Sequence, residues 1–366
     1  MKIKVNTNEF KKACDFVSRA LAVRPAVEVY GAIHAAASNN AVTLSAFDGI
    51  MMNKYQIPCE VEQEGEANIR AEKLRAVVSH IEEETIEIES GETGAVLRYG
   101  KNTCRIPVVT GTFPEETTEE NICQVKYDAD ELRKALDGVA YCVSLEETRP
   151  IFTGVYLEIA DTETHLVALD GFRLAYRRIA CQKDITRTET VKAVVPRKGV
   201  SEIINVISRA NGGEVNLNIG DRTTSICVDN MKSTCVMLSG EYADFRKLLP
   251  AGFGTELKAG KEKIMDMFER VQIFTTNKSY CKLAITDGEM TVTVSEEAGD
   301  ITENADIEKI GADLEIGVNS KYVTDALKHV STDEVGIKMT TQTGPIIFSD
   351  TNGAEINLIL PTRIIR

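Results

Sequence analysis

Two Asp-Gly pairs carry the carboxylates that come closest to a catalytic arrangement in this sequence. Asp48-Gly49 and Asp170-Gly171 each follow a short apolar segment. Two carboxylates in different environments can divide acid and base roles, but only when they lie close together. These two occupy equivalent places about 120 residues apart, and Asp-Gly at the end of a strand is typical of a turn. We therefore expect two turns in two separate domains, not an active site.

The other reactive residues show no catalytic or metal-binding spacing. The sequence has four histidines and no GxSxG, P-loop or HExxH motif, and no GxGxxG that opens a helix after a strand. Its nine cysteines are odd in number and form no CxxC pair, so neither zinc nor a redox motif is indicated. We predict buried free thiols in a reducing cytosol, no metal, no cofactor and no intrinsic catalysis.

The elements that would position any site recur three times at a spacing of about 120 residues. The first amphipathic helix of each repeat begins near Thr7, Asp128 and Gly260, and the second begins near residues 70, 197 and 320. Solenoid repeats have periods of roughly 20–50 residues, so each of these longer repeats should be a whole domain. The predicted domains are residues 1–123, 124–250 and 251–366.

Strand patterns follow both helices of each repeat. After the first helix we predict a strand pair, over Gly31–Ile57, Gly154–Ile179 and Tyr280–Ile301. After the second helix the residues alternate with period two, as expected for a sheet with one face on a core. Each repeat is therefore expected to be an α+β domain with two helices packed on antiparallel sheets.

The hydropathy pattern predicts a cytoplasmic protein without a membrane partner. No apolar run approaches the roughly 18–20 residues that a membrane span requires. The chain opens on Met1-Lys-Ile-Lys-Val, which is typical of a strand and lacks the apolar region of a signal peptide.

Charge is distributed unevenly along the chain. The net charge is −14, which by itself disfavours a nucleic-acid partner. The six helical segments nevertheless sum to +7, which leaves −21 on the rest of the chain. Basic helices on an acidic body indicate one surface that faces a polyanion, although Lys and Arg are also common on solvated helix faces.

Repetition favours the polyanion interpretation. If the six helices lie on the same side of their sheets, three domains in a row form a curved wall lined with basic helices. An arc of this kind can close by symmetry as a dimer, which would have six domains and twelve helices. Duplex DNA is roughly 20 Å across and would fit such a ring, touched only through its phosphates.

The chain resembles, over its whole length, the β subunit of bacterial DNA polymerase III, which is the sliding-clamp family. The resemblance rests on the Asp-Gly-x-Arg-Leu element that begins at Asp170, the Arg-Pro segments at Arg24 and Arg149, and the terminal Pro-x-Arg that begins at Pro361. None is specific singly, but together they are. The resemblance implies the DNA-clamp fold of three similar tandem domains and a head-to-tail homodimer that forms a six-domain ring.

The family resemblance also implies a non-catalytic processivity factor. Its ring would encircle double-stranded DNA independently of sequence and tether the catalytic subunit of the replicative DNA polymerase. A separate ATP-driven clamp-loader complex would load it. Other replication and repair proteins with clamp-binding peptides would share a hydrophobic pocket between the second and third domains.

Matching positions with the family places this peptide pocket on two parts of the chain. An apolar cleft with a cationic rim suits a peptide with aliphatic or aromatic anchors and an acidic or amide residue. Arg173 and Arg363 are notable because a long cation beside apolar strand residues requires an anionic or carbonyl partner. The pocket residues implied by the resemblance are Phe152, Leu169, Gly171, Phe172, Arg173, Leu174, Lys247, Leu248, Leu358, Leu360, Pro361, Thr362, Arg363 and Ile364.

Several of these positions depart from the family pattern. Phe172 stands where many members have His, Tyr242-Ala243 where they have Phe-Pro, and Leu360 and Thr362 where Met flanks the terminal proline. The apolar character of the pocket is kept, while its peptide preference is left open.

The resemblance implies two further sets of residues. Arg24 is the first choice for phosphate contact, and Lys12, Lys73, Arg197 and Lys198 follow, each of which has the alternative of a solvated surface cation. At the subunit boundary Cys104 and Ile106 match one side of the family interface, and Ile273 and Phe274 match the other. An unpaired strand edge of this kind would be covered by a second chain. The alternative to a clamp is a tandem-domain interaction scaffold that does not encircle DNA.

Overall fold

The computed structural model describes residues 1–91, 94–116, 122–184, 189–210, 212–275, 280–296 and 299–363. Its α-helices are α1 (Thr7–Val17), α2 (Ala71–Val78), α3 (Ala129–Ala140), α4 (Arg197–Arg209), α5 (Lys261–Gln272) and α6 (Ser320–Lys328). Short 3-10 helices cover Ser18–Ala20, Glu28–Gly31, Pro150–Thr153 and Phe245–Leu248. All six α-helices begin within one residue of the predicted starts.

The strands follow the same order in each repeat. The first repeat has β1 (Lys2–Asn6), β2 (Ala32–Ser38), β3 (Ala41–Phe47), β4 (Met51–Pro58), β5 (Glu60–Gln63), β6 (Gly65–Arg70), β7 (Thr85–Gly91), β8 (Gly94–Tyr99) and β9 (Asn102–Ile106). The second has β10 (Cys123–Asp128), β11 (Gly154–Ile159), β12 (Glu163–Leu169), β13 (Arg173–Ala180), β14 (Gln182–Lys183), β15 (Val191–Pro196), β16 (Glu214–Ile219), β17 (Thr223–Val228) and β18 (Met231–Val236). The third has β19 (Thr255–Gly260), β20 (Tyr280–Thr286), β21 (Glu289–Glu296), β22 (Gly299–Asp306), β23 (Glu308–Gly311), β24 (Leu314–Asn319), β25 (Glu334–Met339), β26 (Ile346–Ser349) and β27 (Glu355–Ile359).

The helices form where a polar cap meets an amphipathic segment. Asn6 precedes α1, and its side-chain oxygen accepts the backbone N–H groups of Asn8 and Glu9 at 3.0 and 3.1 Å. Asn319 caps α6 in the same way. Such caps satisfy backbone donors that have no partner inside the helix. The apolar side of α1 then buries Phe10 in the core.

The prediction of two strands after each first helix is wrong. The structure has three antiparallel strands in each of these segments. In the first repeat these are β2, β3 and β4. The turn Asn39-Asn40, in which both residues have positive φ, separates β2 from β3, and the Asp48-Gly49 turn separates β3 from β4. A turn of two residues reverses the chain, so one continuous apolar stretch becomes two strands.

The chain divides into two compact units, each built on antiparallel sheets. The first comprises chiefly residues 1–130 and 198–237, and the second chiefly residues 131–183 and 238–366. The first unit contains a sheet of order β5-β1-β7-β8-β9 and a sheet of order β10-β16-β17-β18-β4-β3-β2-β6. The second contains the orders β15-β11-β12-β13-β27-β26-β25-β19-β23 and β22-β21-β20-β24.

The middle repeat is shared between the two units because its sheets continue into its neighbours. In the first unit β18 pairs with β4, and in the second unit β13 pairs with β27. Both pairings are antiparallel and join strands of different repeats. The α+β architecture of three similar tandem repeats is therefore confirmed, and the boundaries at residues 123 and 250 stay a prediction.

A glycine inside α3 leaves room for a buried arginine. Arg177 is 4% exposed, and burial lowers the pKa of its guanidinium. That group donates to the carbonyls of Tyr176 and His329 and to the side chain of Asn357. A Cβ atom at Gly138 would lie 2.6 Å from the Arg177 Nε atom, which is too close for any side chain.

We expect Gly138→Ala to destabilise the second unit although alanine favours helix. The gain in helix propensity is about 1 kcal/mol, whereas displacing a buried, hydrogen-bonded cation costs about 3 kcal/mol. Thermal or urea unfolding would measure the difference. Gly252→Ala is the matched control, because a Cβ atom there meets nothing within 4 Å. Equal stability of the two variants would contradict the prediction.

Candidate functional site

Both Asp-Gly pairs form turns, and each carboxylate is used within its own turn. The Asp170 Oδ1 atom accepts the backbone N–H groups of Phe172 and Arg173 at 2.9 and 3.0 Å. Asp48 accepts those of Ile50 and Met51 in the first unit at 2.9 and 2.7 Å. These geometries are those of Asx turns. The turn interpretation of the sequence is confirmed.

The turn that follows Asp170 forms one wall of a pocket in the second unit. The pocket has a volume of about 530 Å³. Its walls come from the segment between α3 and β11, from the end of β12, the start of β13 and the turn between them, from the Phe245–Leu248 helix region, and from the end of β27 and the residue after it. The lining residues are Ser144, Glu146, Thr148, Arg149, Phe152, Leu169, Asp170, Gly171, Phe172, Arg173, Leu174, Ala243, Leu248, Leu358 and Leu360.

Three large apolar side chains are exposed around this pocket. Phe172 is 59% exposed, Leu248 48% and Leu360 42%. Leu169, Leu174 and Leu358 form a buried floor beneath them. An apolar patch with convergent polar groups marks a binding site rather than a core.

Strand pairing holds the two sides of the pocket together. In the β13·β27 register Leu174 lies opposite Leu358, so both side chains are on the same face of the sheet. One residue beyond β27, the Leu360 N–H donates to the carbonyl oxygen of Phe172 at 2.8 Å. The tail of the chain is thus fixed beside the Asp170 turn.

An aromatic cluster supports the wall that carries Leu248. The Tyr242 ring stacks on Tyr156 at 4.9 Å and meets the Phe152 ring edge-on at 5.4 Å. Tyr176 stacks on Phe245 at 5.6 Å. Rings at these distances rigidify the segment from which Leu248 projects.

Arg173 already has its anionic partners inside the chain. Its guanidinium pairs with Asp170 at 2.9 Å and with Asp325 at 2.7 Å, and it lies over the rings of Tyr141 and Tyr322. Burial disfavours the charged form, but the hydrogen bonds that the guanidinium donates to these two carboxylates contribute to a net rise in the pKa of Arg173. The side chain is 15% exposed, so it orients the turn more than it offers a free charge to a ligand.

Arg149 is an exposed cation of the pocket lining. It lines the pocket and makes no side-chain hydrogen bond or ion pair with another described residue. The Arg-Pro segment marks it in the sequence, although we did not predict it as a pocket residue. Ser144, Glu146, Thr148, Asp170 and Ala243 are likewise lining residues that the sequence-based assignment omits.

Part of the predicted pocket lies elsewhere. Lys247 points to Asp244 at 3.3 Å and, like Pro361, Thr362 and Arg363, is absent from the lining. The Thr362 N–H donates to the Gly317 carbonyl at 2.9 Å in an isolated bridge. That bond turns the tail toward the third repeat after Leu360, which corrects the expectation that Thr362 lines the cleft. Ile364 lies outside the described residues.

Among its described residues, the first unit has no apolar counterpart of this pocket at the equivalent strand pairing. Thr234 takes the place of Leu358, and its hydroxyl donates to Glu116 at 2.8 Å. Lys54 and Lys232 pair with the same carboxylate at 2.8 and 2.6 Å. Burial raises the pKa of Glu116, but the hydrogen bonds of both lysines and Thr234 outweigh it and lower that pKa to about 2. An ionic cluster thus replaces the apolar wall.

The five predicted DNA-contact residues are all exposed. They are Lys12 on α1, Arg24 after α1, Lys73 on α2, and Arg197 and Lys198 in the first turn of α4. Lys12 pairs with Glu9 at 2.8 Å, and Lys198 pairs with Asp48. Arg24 forms no ion pair or side-chain hydrogen bond with a described residue. Its guanidinium could therefore bind a phosphate without first losing another partner.

The predicted interface residues differ in exposure. Ile273 follows α5 and is 78% exposed, and Phe274 packs partly against the core of the third repeat. On β9, Cys104 is half-buried, whereas Ile106 is 1% exposed. The side chain of Ile106 therefore belongs to the core of its own unit, and only its backbone is available to another chain.

None of the nine cysteines, all of which lie in the described residues, forms a disulfide. Six are buried, Cys59 and Cys104 are half-buried, and Cys227 is exposed. The described residues contain no group of three side chains that could hold a metal ion. None of the helices in the described part of the chain has the length and apolar content of a membrane span.

Sequence similarity to known proteins extends over the whole length of this chain. The DNA polymerase III beta subunit N-terminal, central and C-terminal domains match residues 1–115, 126–244 and 246–363. The beta sliding clamp of Rickettsia bellii is 23% identical over 383 residues and 100% of both chains. That of Halalkalibacterium halodurans is 25% identical over 98% of each.

Solved structures share the fold. The DNA polymerase sliding clamp of Bacillus subtilis superposes with a TM-score of 0.93 at 23% identity over 100% of both chains. A sliding clamp of Pseudomonas aeruginosa bound to griselimycin gives 0.93 at 20% identity over the same share.

The architecture and the sequence matches together define a DNA sliding clamp, a non-catalytic component of DNA replication. The chain belongs to the DNA polymerase III beta subunit family. The tandem-domain scaffold without a role on DNA is accordingly not favoured.

Proposed function

We propose that two copies of this chain close into a ring around duplex DNA in the bacterial cytoplasm. The observation that carries the proposal is the strand pairing between successive repeats. Strand β18 of the second repeat pairs with β4 of the first, and β27 of the third pairs with β13 of the second. Each repeat therefore joins the next through the same two edges.

The strands at the corresponding free edges are β9 and β22. Each is the last strand of its sheet among the described residues. By position in the repeat, β9 corresponds to β18 and β27, and β22 corresponds to β4 and β13. A head-to-tail arrangement of two chains would use both edges and leave none exposed.

The register of the existing junctions predicts the register between chains. Asn53 lies opposite Ser233, and Ala175 lies opposite Asn357. The equivalent positions on the free edges are Ile301 and Cys104. One chain's Cys104 is then opposite the partner subunit's Ile301, and Arg105 is opposite the partner subunit's Asp300.

The chemistry of the two edges fits this register. Cys104 and Ile301 are both half-buried and lie on the core side of their strands, while Arg105 and Asp300 are both on the outer side. Directly opposed residues of an antiparallel pair share a face, so apolar meets apolar and cation meets anion. A shift by one residue would place each pair on opposite faces.

We expect Ile301→Cys to cross-link the two chains through the native Cys104. Opposed residues in an antiparallel pair have Cα atoms roughly 4.5–5.5 Å apart, within the range of a disulfide. Mild oxidation should yield a covalent species of about twice 40.2 kDa on a non-reducing gel. The matched control is Thr302→Cys, whose partner is Thr103.

Cross-linking of Ile301→Cys that does not exceed that of Thr302→Cys would contradict the register. Adding Cys104→Ser to the Ile301→Cys chain should abolish the product. Since Cys227 is exposed, the second control also excludes a bond to that thiol.

The ring proposal assigns the basic helices to DNA. A dimer would have twelve α-helices, six from the described residues of each chain. Their segments sum to +7 per chain on a chain of net charge −14, which supports a channel that attracts phosphates and an exterior that repels them. Arg24, Lys12, Lys73, Arg197 and Lys198 are the proposed contacts.

The pocket of the second unit is the proposed site for peptides of partner proteins. Phe172, Leu248 and Leu360 would cover the anchors of a short peptide, and Arg149 would meet its acidic or amide group. The proposed partners are the catalytic subunit of the replicative polymerase, the clamp-loader complex and repair proteins with clamp-binding peptides. All use one pocket, so they would compete for it.

A further inference from the structure

The three repeats can be aligned residue by residue from their strand pairings. The strand before each first helix ends at Asn6, Asp128 and Gly260, each paired with the first residue of the strand that follows the second helix. Thirteen residues beyond these ends lie Arg19, Tyr141 and Ile273.

The second helices align in the same way. The strands before them end at Arg70, Pro196 and Asn319, each paired with the first strand after the first helix. Six residues beyond these ends lie Ala76, Glu202 and Asp325. Each repeat thus has one position after its first helix and one on its second helix that can be compared across all three.

In the first unit these two positions meet as an ion pair. The Arg19 Nε atom of the first repeat donates to Glu202 of the second at 2.6 Å. The Glu202 side chain is 2% exposed and also accepts from Asn53 and Asn205 at 2.9 and 3.0 Å. The junction is centred on a buried carboxylate.

In the second unit the same two positions meet through a third residue. Arg173 pairs with Asp325 at 2.7 Å, donates to the Tyr141 carbonyl at 3.0 Å and lies over the Tyr141 ring. Tyr141 also stacks on His329 at 4.1 Å. A carboxylate on the second helix again closes the junction.

The two aligned positions that make no junction within the chain are Ile273 and Ala76, and neither carries a charge. Ile273 is 78% exposed, and Ala76 is exposed on α2. One local contact of Ala76 is nevertheless the same as at Asp325. The His80 ring N–H donates to the Ala76 carbonyl at 2.8 Å, as that of His329 donates to the Asp325 carbonyl at 2.7 Å.

We infer that Ala76 and His80 of one chain pack against the partner subunit's Ile273, in the place where the junctions within the chain hold a carboxylate. This inference rests on the proposed ring and adds its helix contact. The subunit junction is closed by apolar contact at this point. Its separation leaves no carboxylate without a partner, whereas separation of the junctions within the chain would remove the arginine partner of the buried Glu202 and of the half-buried Asp325.

The contact is tested by rebuilding the ionic junction across the subunits. Ala76→Glu and Ile273→Arg recreate the Glu202 and Arg19 pair on separate chains. Each variant alone places a charge against an apolar side chain in both junctions of its homodimer, so we expect its dimer dissociation constant to rise at least tenfold. An equimolar mixture can form a heterodimer with one ionic and one native junction, and we expect it to regain dimer.

Sedimentation velocity over a dilution series measures all three samples, and circular dichroism checks that both variants are folded. Val23→Arg is the control, since Val23 is 98% exposed and is not in the aligned set. Val23→Arg alone should not weaken the dimer. When it is mixed with Ala76→Glu, it should not restore the dimer. A mixture of the two junction variants that dimerises no better than each alone overturns this inference while the ring stands. A wild-type chain that is still monomeric at about 10 μM has an association free energy weaker than about −7 kcal/mol. That result would overturn the ring proposal itself.

Discussion

Clamps loaded by a clamp loader onto nicked circular DNA are expected to stay bound while the circle is intact and to leave when it is cut. A closed ring is retained by topology, because it has no end to slide from. Binding that depends only on phosphate contacts would instead fall steeply with salt on both forms of DNA. Gel filtration of the DNA before and after a single restriction cut, at high salt, measures the retained fraction.

The cross-linked Ile301→Cys dimer supplies the control for this experiment. Once loaded and then oxidised, it should resist salt on circular DNA and still leave after linearisation. Oxidised before loading, it should not be loaded at all. If the protein stays on the DNA after the cut, the result contradicts encirclement, whether or not the protein is a dimer.

The second large effect is expected at the pocket. Leu248→Asp and Leu360→Asp each place a carboxylate where a peptide anchor would be buried. Loss of one buried leucine contact costs about 2 kcal/mol, and desolvation of the new charge adds to it. We expect the affinity for a polymerase clamp-binding peptide to fall at least thirtyfold, about 2 kcal/mol. Isothermal titration calorimetry against wild type measures the change.

Ile310→Asp is the matched control for the pocket variants. Ile310 is 81% exposed on the third repeat and does not line the pocket, so the same chemical change should leave affinity unaltered. All three variants should remain dimeric and load onto circular DNA, while the two pocket variants should lose processive synthesis. Equal affinity of Leu248→Asp and Ile310→Asp would move the partner site to another surface.

The pocket and the junctions are two uses of one structural element. In both units the turn after an Asp-Gly pair lies beside a strand from the next repeat. A backbone N–H at the end of that strand or just after it donates to a carbonyl of the turn, as Val236 does to Ile50 and Leu360 to Phe172. In the first unit the adjacent wall is ionic, through Glu116. In the second it is apolar, which supports a binding site at that junction.

Local sequence determined the helices and the Asp-Gly turns of this protein. The starts of α1 to α6 were predictable within one residue because amphipathic spacing and cap residues such as Asn6 act over a single helical turn. The period of about 120 residues likewise implied three domains, since a repeat of that length can bury its own core. The family resemblance at Asp170–Leu174 also located one wall of the pocket, because that turn is formed by residues that are adjacent in the sequence.

Tertiary structure alone decided which distant residues complete the sites. Arg173 is paired with Asp325, 152 residues away, so its charge belongs to the junction and Arg149 is left for a ligand. Thr362 bonds to Gly317 and turns away from the cleft, whereas Leu360 stays in it. Ile106 faces the core of its own unit. Each of these outcomes depends on strand pairing between segments far apart in the chain, and periodicity within one segment does not specify its partner.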